Sequence, residues 1–177
     1  MRRFLDRLYI GSGVIAALCI LGICVVMLLQ AFGREAGILF RGADDIVAWL
    51  CAAAAFFALG HTFRHGELVR VGLLVNRLPP RGRRAAEVFA LSVTSVFVGY
   101  MLWAVALFVY ESWKFNEVAQ GLIKLPIWIP QTTFLLGVLI FLLAVLDELH
   151  AVLNNRKPSY QQAEEARIAA GDFSETT

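Results

Sequence analysis

Three histidines, three cysteines and a few polar groups inside apolar runs are the residues whose types could do chemistry in this chain. A b-type haem held between helices needs two imidazoles facing each other within the membrane. Here only His61 lies inside an apolar run, while His65 and His150 fall outside. A lone intramembrane histidine is either a proton-relay or ligand residue or a hydrogen-bonded structural one, and a position beside a basic flank favours the structural reading. Cys19, Cys24 and Cys51 sit in apolar runs with no metal-ligand or disulfide spacing, so they are expected to behave as small buried hydrophobes. The sequence has no Gly-rich phosphate loop, nucleophile elbow or metal-spaced His/Glu set. It therefore reads as no enzyme, with no catalytic residue, metal ligand or cofactor assigned.

The elements that would position these groups follow from composition. Of 177 residues, 59% are hydrophobic and 17% charged, and the mean hydropathy is +0.67. That is too apolar for a soluble domain of this size, so lipid is the solvent. The net charge of +2 is small and sorted into loops, which excludes nucleic acid as a partner. About 20 apolar residues cross a ~30 Å hydrocarbon core. Four runs meet that need, at about 8–33, 46–63, 88–110 and 125–146. The fold class expected is an all-α membrane protein, with a four-helix membrane domain over 1–154 and a polar, flexible tail over 155–177. The first run is too long for the apolar core of a signal peptide and is expected to stay as a span.

Basic residues set the orientation. Three lie at the N-terminus, six between residues 64 and 87 and three in the tail, against two in each remaining loop. Lys and Arg are retained on the cytoplasmic side, so both termini and the central loop are expected there. Within that loop, Leu68, Val69, Val71, Leu73, Leu74 and Val75 interleave with Glu67, Arg70 and Arg77. Strand and helix periods both fit. An isolated strand cannot satisfy its backbone at a membrane surface, which favours a short interfacial amphipathic helix ended by Pro79 and Pro80. Arg81, Arg83 and Arg84 follow as a topology anchor.

The second span is rich in small residues, from Ala52 to Ala55 with Ala58 and Gly60, and Ala54 and Ala58 are expected to mark a face in close helix contact. Arg34 and the pair Asp44–Asp45 face each other across a short loop, where opposite charges are expected to pair. The sequence Pro126-Ile127-Trp128-Ile129-Pro130 makes a stiff start to the fourth span, tolerable where first-turn donors are free anyway.

Together, Gly33-Arg34, Asp44-Asp45 before Trp49, the run Arg64-x-Gly66-x-x-Val69-x-Val71, the Arg77-Leu78-Pro79 turn and the Leu125-to-Pro130 segment resemble one family. It is the small membrane subunit of tripartite ATP-independent periplasmic (TRAP) transporters. The resemblance spans about residues 8–149 and rests on the order and spacing of these motifs across four spans. Leu68 and Gly72 stand where the family often has His and Asp, and one position of the acidic pair is Asp rather than Glu. The resemblance implies a multi-pass subunit of the bacterial inner membrane. Its implied partners are a large membrane subunit, a periplasmic solute-binding protein and membrane lipids. Its implied task is to brace the large subunit during sodium-driven uptake of an organic acid. Candidate interface or structural residues are Arg34, Asp44, Asp45, Trp49, Ala54, Ala58, Arg64, Gly66, Arg70, Pro126, Trp128 and Pro130. Two competing readings are an autonomous oligomeric transporter or channel lined by His61 and Gln131, and a membrane anchor of an electron-transfer complex.

Overall fold

The computed structural model of the chain describes residues 2–37, 40–65 and 80–154. The expected interfacial segment, with Gly66 and Arg70, and the polar tail lie outside the described residues, as does the Arg64 side chain. The four apolar runs form four membrane-length helices: α1 (Arg2–Glu35), α2 (Ala43–His65), α3 (Pro80–Lys114) and α4 (Trp128–Leu153). Helix is the form in which a single segment satisfies its own backbone in lipid. At 1.5 Å rise, α1 and α3 reach about 50 Å, so they tilt or carry their ends past the hydrocarbon core.

The helices extend beyond the apolar runs because the flanking polar residues suit helix ends. Asp44 and Asp45 lie in the first turn of α2, beside the positive end of its dipole. Arg34 and Lys114 occupy the last turns of α1 and α3. Pro80 opens α3, where its missing N–H would have had no partner. The end of α3 is closed by Asn116 in the left-handed conformation, φ 49°. Asn116 N–H donates to Trp113 O (3.3 Å) and Glu117 N–H to Ser112 O (3.0 Å), the two bonds of a Schellman stop. At the start of α4, Pro130 sits in the first turn, within the set of N–H positions that lack intrahelical acceptors.

The helices stand in a row, α1–α2–α4–α3, with α1 touching α4 only slightly. Each sequential pair is an antiparallel hairpin, and the two hairpins meet along a parallel seam between α2 and α4. Glycines set the seam's depth. A Cβ on Gly137 would come within 2.6 Å of the Phe56 Cβ, and one on Gly60 within 3.0 Å of the Ile140 side chain. Between α1 and α2 the same role falls to Gly13, where a Cβ would meet His61 Nδ1 at 2.9 Å. Ala16, Ala53 and Phe57 are buried together there, with Cys19 and Ala58 packed against them.

At the end holding both termini, Tyr9, Phe63, Leu91, Ala144, Val145 and Val152 bring all four helices into one cluster. Phe63 meets Phe141 edge to face at 5.6 Å. Arg84 of α3 donates from Nη2 to Leu153 O (3.1 Å), satisfying a terminal carbonyl of α4. Two expectations change. Glu148, beyond the expected end of the fourth run at 146, is inside α4 and 2% exposed. Cys24 and Cys51, read as buried, face outward. In a bilayer the outward direction is lipid, which suits a thiol as well as a packed interior does.

Ala54 is buried, whereas its neighbour Ala55 is exposed. Ala54→Leu should therefore overpack the bundle and cost about 1–3 kcal/mol, read as a lower Tm in detergent. Ala55→Leu should leave the Tm unchanged.

Candidate functional site

The most ordered polar arrangement lies at the end opposite the termini. The α3–α4 connection leaves Asn116, pairs Val118 with Pro126 in an antiparallel bridge and returns to α4. Ala119 N–H donates to Leu125 O (2.9 Å) and Ile127 N–H to Glu117 O (3.0 Å). Ser112, buried at the end of α3, donates from Oγ to Glu117 Oε2 (2.9 Å). The result is a closed hairpin over residues 115–127. Its tip reaches across to α2.

There the Asp45 carboxylate receives it. Oδ2 accepts the N–H of Leu122 (2.9 Å) and of Ile123 (3.3 Å), two donors that the tight turn leaves without backbone partners of their own. Two glycines make room. A Cβ on Gly121 would run into the Asp45 carboxylate, and one on Gly42 would come within 2.6 Å of Ile123 Cγ1. Gly42 also turns the chain into α2 at φ +90°, a conformation that a side chain strains. Asp45 thus ties the far ends of α2, α3 and α4 together with one side chain.

This arrangement corrects the expected Arg34 pairing. Asp44 Oδ1 accepts from Gln30 Nε2 of α1 (3.2 Å), Asp45 serves the hairpin, and no ion pair joins Arg34 to either carboxylate among the described residues. Of the other candidates, Trp49, Trp128 and Pro130 are half-buried, Pro126 is exposed and Ala54 and Ala58 line the helix contacts described above. Arg64 lies in α2, at the opposite end from the clamp. The candidate residues are therefore spread along the molecule, and only Asp44 and Asp45 join one local network. Gln30, Ser112, Glu117 and Gly121 complete that network and were missed by sequence reasoning. The signal available was weak: a Gly-Leu-Ile turn 77 residues from its carboxylate gives no local pattern.

His61 sits half-buried on α2 with Nδ1 3.3 Å from Tyr9 O of α1, an oxygen that also accepts from Ser12 Oγ (2.9 Å). With Nδ1 protonated the imidazole donates across the helix crossing at Gly13. That is a hydrogen-bonded structural contact. Among the described residues, no three His, Cys, Asp or Glu side chains gather at metal-binding distance.

Hydrogen bonds to a charged acceptor contribute about 1.5–3 kcal/mol each, less where water competes. Asp45→Ala should accordingly destabilise the chain by about 1–3 kcal/mol and speed hydrogen exchange at the Leu122 and Ile123 amides, with Asp45→Asn intermediate. Gly121→Ala should loosen the same amides by displacing the carboxylate. In an Asp45→Arg chain, adding Arg34→Asp should restore nothing, since the two do not pair.

No curated protein matches the chain. A family does: Tripartite ATP-independent periplasmic transporters, DctQ component, over residues 23–154. The match takes in the later part of α1, all of α2, α3 and α4, and both sides of the Asp45 clamp. Four membrane-length helices carrying a network of structural hydrogen bonds suit a transporter component. The chain belongs to the DctQ component family, and it is the small, multi-pass membrane subunit of a tripartite ATP-independent periplasmic transporter.

Proposed function

We propose that this chain braces a large permease subunit in the bacterial inner membrane during sodium-driven uptake of an organic acid delivered by a periplasmic binding protein. The observation carrying this reading is the packing between helices. Where α2 meets α1 and α4, the contacts are filled down to Gly13, Gly60 and Gly137, with Ala53, Ala54, Phe57 and Val138 buried between them. A transport pathway in lipid needs ionisable groups or broken helices lining water-accessible space. These contacts offer a solid wall. The end helices of the row, α1 and α3, meanwhile present apolar flanks such as Leu18, Leu21, Leu28, Val96 and Phe97. A solid, flat body with apolar flanks adds membrane-embedded area to a neighbour. It resists displacement when that neighbour moves.

The orientation proposed is the one favoured by the sorted basic residues, with both termini cytoplasmic and the clamped hairpin periplasmic. A hairpin held by three helices then presents a fixed surface toward the side from which a binding protein arrives. The organic-acid substrate class and the sodium coupling rest on the family resemblance alone.

An alkaline-phosphatase reporter fused after Lys114 should be active and one fused after Pro80 inactive; the reverse pattern would overturn the orientation. Cells expressing the large subunit and the binding protein should take up substrate only when this chain is also present. Sodium-dependent uptake by this chain alone would instead establish the autonomous transporter.

A further inference from the structure

We propose that the hairpin over residues 115–127 is an interfacial membrane anchor, seated in the headgroup layer of the leaflet at the clamped end. This reading stands apart from the bracing role and from the orientation.

Its surface is the first observation. Phe115 is 69% exposed, Val118 49% and Leu122, at the turn itself, 70%. A turn washed by water carries Gly, Asn, Asp, Ser or Pro at its tip. Here exposed Gln120 and Gly121 are followed at the tip by a leucine that is just as open. Tyr110 and Trp113, also exposed, precede it on α3, and such rings with an apolar body and polar edge settle at headgroup level.

The backbone is the second. A segment can leave water only if its N–H groups are satisfied within the protein, since each one stranded in a low-polarity layer costs several kcal/mol. The hairpin meets that condition at the amides of Phe115 and Leu122, two of its three most exposed apolar residues. Glu117, Ala119, Leu125 and Ile127 donate within the segment or to the end of α3, and the two tip donors go to Asp45. The clamp therefore removes two donors from the exposed turn that would otherwise need water.

Charge is the third. Glu117 directs Oε2 to the Ser112 hydroxyl and Asp45 points at the tip amides, whereas Lys114 and Lys124 are exposed on the two sides of the hairpin. Lysines at the rim of an apolar surface reach phosphate oxygens while their stems lie along the acyl boundary. The surface suits a phospholipid headgroup layer, with apolar side chains in the middle, lysines beside them and the amides of Leu122 and Ile123 satisfied by Asp45.

Full-length Leu122→Cys, in nanodiscs of phosphatidylethanolamine and phosphatidylglycerol, should react with a membrane-impermeant maleimide far more slowly than Arg41→Cys, a position exposed in the α1–α2 loop at the same end. The expected protection is roughly tenfold or more, the scale set by burying a leucine-sized group. The unmodified chain corrects for Cys19, Cys24 and Cys51. Phe115→Trp in a chain whose Trp103 and Trp113 are replaced by Phe, with the parent lacking the new tryptophan as background, reports the same placement through quenching by lipids brominated near the headgroup. Equal labelling rates with no quenching would mean a water-exposed loop and overturn the proposal. Protection that arises only when the large permease subunit is added would overturn it as well, in favour of a protein-docking surface.

Discussion

The distance between α2 and α4 governs this molecule. Two helical hairpins are joined along a single parallel seam, and at that seam Gly60 and Gly137 let the backbone of each helix meet the side chains of the other. Lipid tails are as apolar as leucine, so transfer out of water supplies no drive for helices to associate once inserted. Dispersion between closely fitted surfaces takes its place, and it falls steeply with a gap of even 1 Å. A side chain at Gly137 would push Phe56 away and open the seam along its length. Both hairpins would persist, but their relation would be lost.

The two ends of the row are then fixed by different means. At the termini end the means is apolar, with Tyr9, Phe63, Leu91 and three α4 residues converging, and Arg84 closing the α4 carbonyls. At the far end it is polar, a carboxylate holding a turn whose amides have no other acceptor. The division follows from geometry. The far end lacks an apolar cluster of that kind among the described residues, and there the α3–α4 hairpin bridges to α2 through Asp45.

A small transporter component with this construction contributes shape. Its imidazole within a span, His61, is used to join α1 to α2, and its acidic pair is used to hold Gln30 and the hairpin tip. Residue types that do chemistry elsewhere serve here as fasteners. The reason is the solvent: hydrogen bonds out of water are strong when made and costly when left open, so a few of them decide the geometry of a bundle held mainly by weak contacts.

Much of this was legible in the sequence. Four apolar runs of spanning length have one solution in lipid, and the motif order across them pointed to the family that residues 23–154 match. The fate of individual polar residues was not legible. Asp45 was read against Arg34, its neighbour across a short loop, but it belongs to amides 77 and 78 positions away. Glu148 fell beyond the fourth apolar run and is buried in α4. Ala54 is buried and Ala58 packs against the α1–α2 cluster, but nothing in an alanine-rich run says which alanines face inward, and Ala55 is exposed. Hydrophobic periodicity separates water from core, and a span uniformly apolar around its circumference carries no such contrast. The sequence by itself therefore determined that four membrane-length helices form among the described residues and where the apolar run of each lies. The order of the row, the seam and the owner of each carboxylate were decided only by tertiary packing, because those depend on which surfaces fit and not on which solvent they avoid.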